Sequence, residues 1–239
     1  MFDTKTLVVI PTYNEKNNIE LLVNDIFAVC PGTQILIVDD NSPDGTGSLA
    51  ESLSRKYPYL HVIRRNAKSG LGSAYKEGFR WALPMNFNYI FQMDADLSHD
   101  PSDMTRMMEK INSGADLVIG SRYLDGVRVK GRSLFRMWLS RVANWHIRTI
   151  LGTGIHDMTS GFRCFRACTL KNINFDTIRA EGYAFQIEMA YLYLKKGFKV
   201  EESHIIFTER EKGKSKFSIK IAIEAFFTVL RIKFFDVHG

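Results

Sequence analysis

The first hundred residues alternate short apolar runs with stretches of helical periodicity, and each run ends in polar or glycine-rich sequence. "TLVVI" precedes a segment, from about Asn17, in which Ile19, Leu22, Val23 and Ile26 share one side of a helix. "QILIVDD" leads through the turn "SPDG" into a helix carrying Leu49 and Leu53, and "LHVIRR" leads through a glycine-rich loop into a helix around Tyr75 to Leu83. "YIFQMD" is a fourth run, "ADLVIGSRY" a fifth and "KVEESHIIF" a later one. Apolar strands joined by helical crossovers specify a parallel sheet covered on both faces. No internal repeat or low-complexity linker breaks the pattern, so the expected fold class is α/β, with a mostly parallel central sheet flanked by helices.

Open α/β sheets bind ligands outside the carboxyl ends of their strands, so the residues at those ends belong in one inspection. "PTYNE" follows the first strand, Asp39 and Asp40 the second, "NAKSGLGSAY" the third, Asp94 and Asp96 the fourth, and "GSRY" with Arg122 the fifth. On local sequence alone, "DAD" reads as a polar turn, because Asp is common where strands stop. Residues i and i+2 of an extended chain, however, face the same way roughly 6.6 Å apart, close enough to share an ion directly or through water. Charged or hydrogen-bonding groups at five strand ends favour that second reading: Asp94 and Asp96 as carboxylate ligands of Mg²⁺ or Mn²⁺.

Composition narrows the class. With 239 residues, 45% of them hydrophobic and 24% charged, the chain can bury a large core without disulfides or structural metals. Cys30, Cys164 and Cys168 lack zinc-site spacing and are expected to be reduced thiols, which places the protein facing the cytosol. "MFDTKTLVVIPTYNE" has four consecutive apolar residues before a proline, short of a signal-peptide core, and no stretch is long and apolar enough to span a bilayer. The net charge of +6 is unevenly spread: Arg122, Arg128, Lys130, Arg132, Arg136, Arg141 and Arg148 face a single acid, Asp125, between positions 120 and 150. Most of that cluster reads as a solvated basic face, and its one-sidedness points to an anionic partner. No reading motif accompanies the charge, so nucleic acid is not expected.

Two local features admit more than one reading. "GLGSAY" matches a dinucleotide fingerprint poorly, since Tyr75 stands at the third glycine position and the motif lies in the third strand–helix unit. It reads as a loop and helix start near a nucleotide. Asp40 is placed as a ribose- or base-binding acid would be, or as a turn or helix-capping acid before "NSPDG".

Eight blocks in order, "VVIPTYNEKNNI", "IVDDNSPDGTGSLA", "KSGLGSAYKEGF", "MDADLSHDP", "VIGSRY", "DMTSGFRCF", "GYAFQIEM" and "FTEREKGKSKFS", resemble the polyprenol-phosphate mannosyltransferases, the dolichol-phosphate mannose synthases of the family-2, GT-A-type glycosyltransferases. The resemblance runs from about residue 6 to 220 and implies a catalytic domain over 1–218. It implies inverting transfer of mannose from GDP-mannose to a polyprenyl phosphate, with Mg²⁺ or Mn²⁺ as cofactor. Carried over by position, Pro11, Tyr13, Glu15, Val38, Asp40 and Ala95 would line the nucleotide sugar, with Asp94 and Asp96 holding the metal. Arg122 would sit by the donor diphosphate, and Arg210 and Lys216 would close over the phosphates. Arg136 and Ser140 match positions that meet the acceptor's phosphate in relatives. Asp96, Arg122 and Arg210 would carry the catalytic charge stabilisation. Ser98 stands where some relatives place a glutamine metal ligand; serine is weaker, so Ser98 and water would complete the shell.

"SGFRCFR" carries Arg163 and Arg166 on a glycine turn, with Arg163 read as structural; His99 and His156 read as turn or packing residues, and Lys212, Lys214 and Lys220 as solvated. Residues 219–239 form the expected C-terminal amphipathic segment. Lys220, Glu224, Thr228 and Arg231 gather on one stripe of a helix from Ile219 to Phe235, and nearly everything else is apolar. Such a helix lies in a membrane interface or packs on the sheet. Relatives often carry transmembrane helices at this point, so the expectation is peripheral docking at the cytoplasmic face of a membrane, oligomerisation, or a separate membrane partner subunit. The alternatives in function are a UDP-glucose-dependent polyprenyl-phosphate glucosyltransferase and a non-catalytic lipid- or nucleotide-binding subunit.

Overall fold

The computed structural model describes residues 5–124, 129–130, 134–208 and 219–234. In chain order the strands are β1 (Thr6–Thr12), β2 (Gln34–Asp39), β3 (Leu60–Arg64), β4 (Tyr89–Gln92), β5 (Leu117–Ser121), β6 (Val129–Lys130), β7 (Arg163–Arg166), β8 (Val200–His204) and β9 (Phe207–Thr208). The helices are α1 (Ile19–Val29), α2 (Thr46–Lys56), α3 (Leu71–Ala82), α4 (Asp103–Asn112), α5 (Leu134–Leu151), α6 (Ala167–Leu170), α7 (Gly182–Lys195) and α8 (Ile219–Phe234). The main sheet runs β3-β2-β1-β4-β7-β5-β8, and β6 pairs with β9 in a small ribbon.

The alternation of side chains along each strand builds two cores, one per face of the sheet. Leu7, Val9, Leu36 and Val38 pack beneath α3, α5, α7 and α8, whereas Val8, Ile10, Ile35 and Ile37 pack beneath α1, α2 and α4. All seven residues of β1 are buried, as a central strand covered on both faces requires.

One element departs from the sequence reading. "SGFRCFR", read there as a glycine turn bearing two arginines, forms β7, the sheet's antiparallel strand, and sits between β4 and β5 with Gln92 and Ile119 both in register with Arg163. Four residues flanked by arginines give no apolar run to detect. Arg163 is nevertheless fully buried, its guanidinium donating to the carbonyls of Ser160 and Met158 at 2.9 Å, so it is structural as expected. Because β7 is reversed, the residues before it lie at the carboxyl ends of the parallel strands.

α8 occupies the segment where the amphipathic helix was expected. Its Val229 and Ile232 belong to the main core, packed with α5 and α7, while Phe227 and Phe234 are exposed. Arg231, from the polar stripe, turns toward the protein and pairs with the buried Glu188 of α7 at 3.3 Å. Among the described residues no helix is long and apolar enough to cross a membrane.

Candidate functional site

The end of β4 is the centre of the arrangement. Just past the end of β4, Met93 and Ala95 are buried in the core, and Asp94 and Asp96 alternate with them in the bend that follows. Leu97 then adopts the left-handed conformation, φ 62°, a position that costs a non-glycine residue roughly 1–2 kcal/mol. That turn brings Ser98 back onto Asp96: its amide donates to Oδ1 at 3.1 Å and its hydroxyl donates to the same oxygen. Ser98, carried over as a metal ligand, here orients a carboxylate.

Asp94 is positioned by three neighbours, two of them missed in the sequence. The Tyr75 hydroxyl donates to Asp94 Oδ1 at 3.1 Å. Burial, with Asp94 nearby, pushes that phenol well above its ordinary pKa, so it remains a donor. Gly161, just before β7, lies so close that a Cβ there would stand 2.7 Å from Asp94 Oδ2. His99 stacks on Phe162 with ring centres 5.0 Å apart, and its Nδ1 accepts from the Asp94 amide at 3.4 Å. Burial lowers the His99 pKa, against the pull of the two aspartates, and the imidazole is a packing residue as expected.

The ends of β1 and β2 form a stitched pair of loops. Asp39, fully buried, accepts from the Thr12 hydroxyl at 2.9 Å and from the Ser42 amide at 3.0 Å. The Asn14 amide donates to Ser42 Oγ and the Glu15 amide to Thr46 Oγ1, each at 3.0 Å. Tyr13 lies under the Lys68 ammonium, 3.7 Å from ring centre to nitrogen. Pro11 and Val38 are register partners, and the Val38 side chain is buried in the core beneath α3. Asp40 takes 2.7 Å from Arg65, 2.9 Å from the Ser69 amide and 2.8 Å from the Gly70 amide, clamping the loop before α3. The α3 N-terminus is itself met by a protein carboxylate, Glu181, which accepts from the Ser73 amide at 3.1 Å and fills the space above Gly70 and Gly72. The glycines of "GLGSAY" therefore make room for Glu181.

At the end of β5, Arg122 is gripped by Asp157, with Nε–Oδ2 and Nη2–Oδ1 both 2.7 Å, and its Nη2 also donates to Thr159 at 2.7 Å. Burial alone would raise the Asp157 pKa, but Arg122's charge and hydrogen bonds outweigh it and hold the carboxyl below its usual range. Asn144 of α5 braces the same loop, accepting from the Met158 amide at 3.0 Å and donating to Thr159 at 3.3 Å. Next to Arg122, the Tyr123 hydroxyl donates to Ser140 at 2.7 Å, so the residue carried over for the acceptor's phosphate is tied to the strand end that bears Arg122. Arg136 falls within α5. Arg210 and Lys216 lie outside the described residues. The strand that precedes them, β9, sets Phe207 against His99 at 5.8 Å and the Arg122 guanidinium at 5.4 Å.

A mostly parallel α/β sheet of this order, with an Asp-x-Asp pair just past the end of its central strand β4, has the layout of a GT-A glycosyltransferase. Residues 7–173 match the family model described as glycosyl transferase family 2, and the chain belongs to that family. It is 45% identical over 226 residues to the polyprenol monophosphomannose synthase of Mycolicibacterium smegmatis, covering 94% of this chain and 85% of the relative. It is 40% identical to the undecaprenyl-phosphate mannosyltransferase of Micrococcus luteus over 95% and 93% of the two chains. Against the dolichol-phosphate mannosyltransferase of Pyrococcus furiosus it is 37% identical and spans 61% of that protein's length. Among solved structures, the glucosyl-3-phosphoglycerate synthase of Mycobacterium tuberculosis with Mn²⁺ and UDP-glucose shares the fold at a TM-score of 0.70 and 17% identity, over 98% of this chain and 80% of that one.

Proposed function

We propose that this chain transfers mannose, with inversion at the anomeric carbon, from GDP-mannose to a polyprenyl phosphate at the cytoplasmic face of a membrane. What carries this reading is the likeness, along nearly the whole chain, to relatives named for mannosyl transfer to polyprenyl phosphates. The site's chemistry supports it. A sugar-to-hydroxyl transferase needs a general base. A polyprenyl phosphate is already largely dianionic at neutral pH, its second pKa lying near ~6. The titratable groups beside the aspartates suit the second case: Tyr75 is committed as a donor to Asp94, and His99 is buried against Phe162. One acceptor phosphate oxygen attacks the anomeric carbon, the bond from that carbon to the donor diphosphate breaks, and GDP leaves with the electron pair. No proton needs to move.

The residues present fit a divalent cation. Asp94 and Asp96 offer hard oxygen donors just past the end of β4, and Gly161 leaves Asp94 a space that a Cβ would close. Among the described residues no third His, Cys, Asp or Glu joins them, so water and the diphosphate would supply the remaining ligands. When bound, Mg²⁺ or Mn²⁺ would offset the charge of the diphosphate. Arg122, oriented by Asp157, would direct N–H groups at phosphate oxygens, and Arg210 and Lys216 would add charge as the diphosphate departs. Pro11, Tyr13, Glu15, Val38, Asp40 and Ala95 would hold the nucleotide, and Arg136 and Ser140 the acceptor's phosphate. Radiolabelled GDP-mannose, UDP-glucose and related donors, offered in turn with an extracted polyprenyl-phosphate pool, test the reading. Labelled lipid from GDP-mannose alone is expected; labelled lipid only from UDP-glucose would overturn the donor assignment, and none from any donor the activity.

A further inference from the structure

We propose that Arg163 is a positioning residue that sets Asp94 and Arg122 as one unit, acting on both through the loop of residues 157–161. This role rests on the reading of Asp94 as a cation ligand and Arg122 as a donor to the diphosphate, and it adds the residue that ties them together. Three points of the loop meet the site. Asp157 grips the Arg122 guanidinium through two contacts of 2.7 Å. Thr159 Oγ1 accepts from Arg122 Nη2, also at 2.7 Å. Gly161 lies against Asp94, where a Cβ would stand 2.7 Å from Oδ2. Arg163 holds the residues between these points: Nη2 donates to the Met158 carbonyl and Nε to the Ser160 carbonyl, each at 2.9 Å.

The sheet ties the same residue to the same two partners. Arg163 is in register with Gln92 of β4 and Ile119 of β5. Gln92 stands two residues before Asp94, and Ile119 three before Arg122. The loop and the two strand ends therefore meet at one side chain. A planar fork, with its N–H groups in set directions, suits the task of holding two carbonyls at once.

Stability alone does not explain an arginine here. The side chain is fully buried, its hydrogen bonds go to neutral carbonyls, and Nη1 has no hydrogen-bond partner among the described residues. Asp157, the acid of the loop, is taken up by Arg122. Burial pulls the Arg163 pKa down to about 9, against the pull of Asp157's charge, so the group stays charged at neutral pH despite its desolvation. An apolar residue in this core would escape that penalty. It could not hold Met158 and Ser160, and with them Asp157 and Gly161, in fixed relation to the two strand ends.

The test uses the full chain with Arg163→Met, which removes the fork, and Arg163→Lys, which keeps a charge without the planar fork. Both are compared with the parent well below their melting temperatures, with circular dichroism showing the parent's fold, and Arg163→Lys decides if Arg163→Met does not fold. Mn²⁺ affinity without substrate, from the free-ion electron paramagnetic resonance signal, should fall about tenfold. GDP affinity in EDTA should fall several-fold in the same variants. A role confined to the fold predicts lower melting temperatures with both affinities unchanged, and that result would overturn the proposal. So would the loss of one affinity alone, because the two groups would then not be set together. A parent that binds UDP in place of GDP sinks the donor assignment, and the paired loss, read with UDP, still decides Arg163. A parent that binds neither Mn²⁺ nor a nucleoside diphosphate sinks the proposed function. Amide hydrogen exchange then carries the test: Asp157 and Met158, whose amides donate to Glu202 and Asn144, should exchange faster in both variants relative to β1, and equal exchange would overturn the role.

Discussion

Arg122 and Asp157 form a two-point ion pair at the carboxyl end of β5, both contacts 2.7 Å long, with Asp157 fully buried and Arg122 nearly so. Its consequence is electrostatic. A paired arginine contributes little net charge to a bound diphosphate, so Arg122 would act through N–H groups held in a fixed direction. Asp157 sets that direction, and the Asp157 amide is itself fixed by Glu202 of β8 at 2.9 Å.

Asp157→Asn keeps the shape and removes the counter-charge from a buried guanidinium. Breaking such a pair from one side should destabilise the fold by about 3–5 kcal/mol in urea titrations at neutral pH. The pH dependence has a definite sign. Because the folded Asp157 pKa is depressed below its unfolded value of about 4, its stabilisation is present above that pH and is lost as the pH falls through the folded value. The stability gap between parent and variant should therefore narrow in acid. A gap that stayed constant from neutral pH down to the acid limit of folding would mean that the pair is not the source.

Tyr75→Phe removes one hydroxyl and leaves the ring between Phe79 and Phe185, each with centroids 6.0 Å away. The fold should lose only about 1 kcal/mol, the net worth of one hydrogen bond. Asp94, freed on one side, should hold Mn²⁺ several-fold more weakly, measured by the free-ion electron paramagnetic resonance signal with no substrate present. Unchanged Mn²⁺ affinity would count against Tyr75 as a positioning residue.

Gly161→Ala probes the other side of the same carboxylate. The new methyl would lie 2.7 Å from Asp94 Oδ2, closer than a carbon and an oxygen can rest, and must push Asp94 aside. Mannosyl transfer should drop by about tenfold or more, since displacements of about 1 Å are costly in such sites. Far-ultraviolet circular dichroism should be unchanged. Full activity in the variant would show that Asp94 has room to move without loss.

The parts legible in the sequence were those governed by local periodicity. β1 to β5 and the helices α1 to α3 follow from apolar runs and one-sided spacing, and Asp94 and Asp96 stand out because they end a buried strand. Asp157, Tyr75 and Gly161 were not legible as site residues, because each acts across a long sequence separation: 35 residues from Asp157 to Arg122, 19 from Tyr75 to Asp94. Tyr75 drew notice only as a failed glycine, and Gly161 only as part of a turn. Tyr75 reaches the site from α3, while Asp157 and Gly161 are brought there by β7, reversed between β4 and β5, and a four-residue strand between arginines carries too little pattern to announce itself.

Arg231→Met separates the two roles open to α8. Were the helix turned with its polar stripe toward headgroups, the loss of this cation would weaken binding to anionic vesicles by about one charge's worth, ~1 kcal/mol. In the structure Arg231 faces inward, its Nη2 3.3 Å from a Glu188 carboxylate that is itself buried and accepts from the Ala180 amide at 3.0 Å. Removing it takes a cation from a buried carboxylate, so the cost should fall on stability, up to about 3 kcal/mol. Methionine keeps the apolar stem, and the difference reports the ion pair and not the packing. Because Val229 and Ile232 flank it in the core, loosening α8 should also lower the melting temperature in a single cooperative step. Vesicle binding by the folded variant should match the parent, since Phe227 and Phe234 remain exposed on the other side. Lost vesicle binding with an unchanged melt would place Arg231 at the membrane and require α8 to turn when it binds.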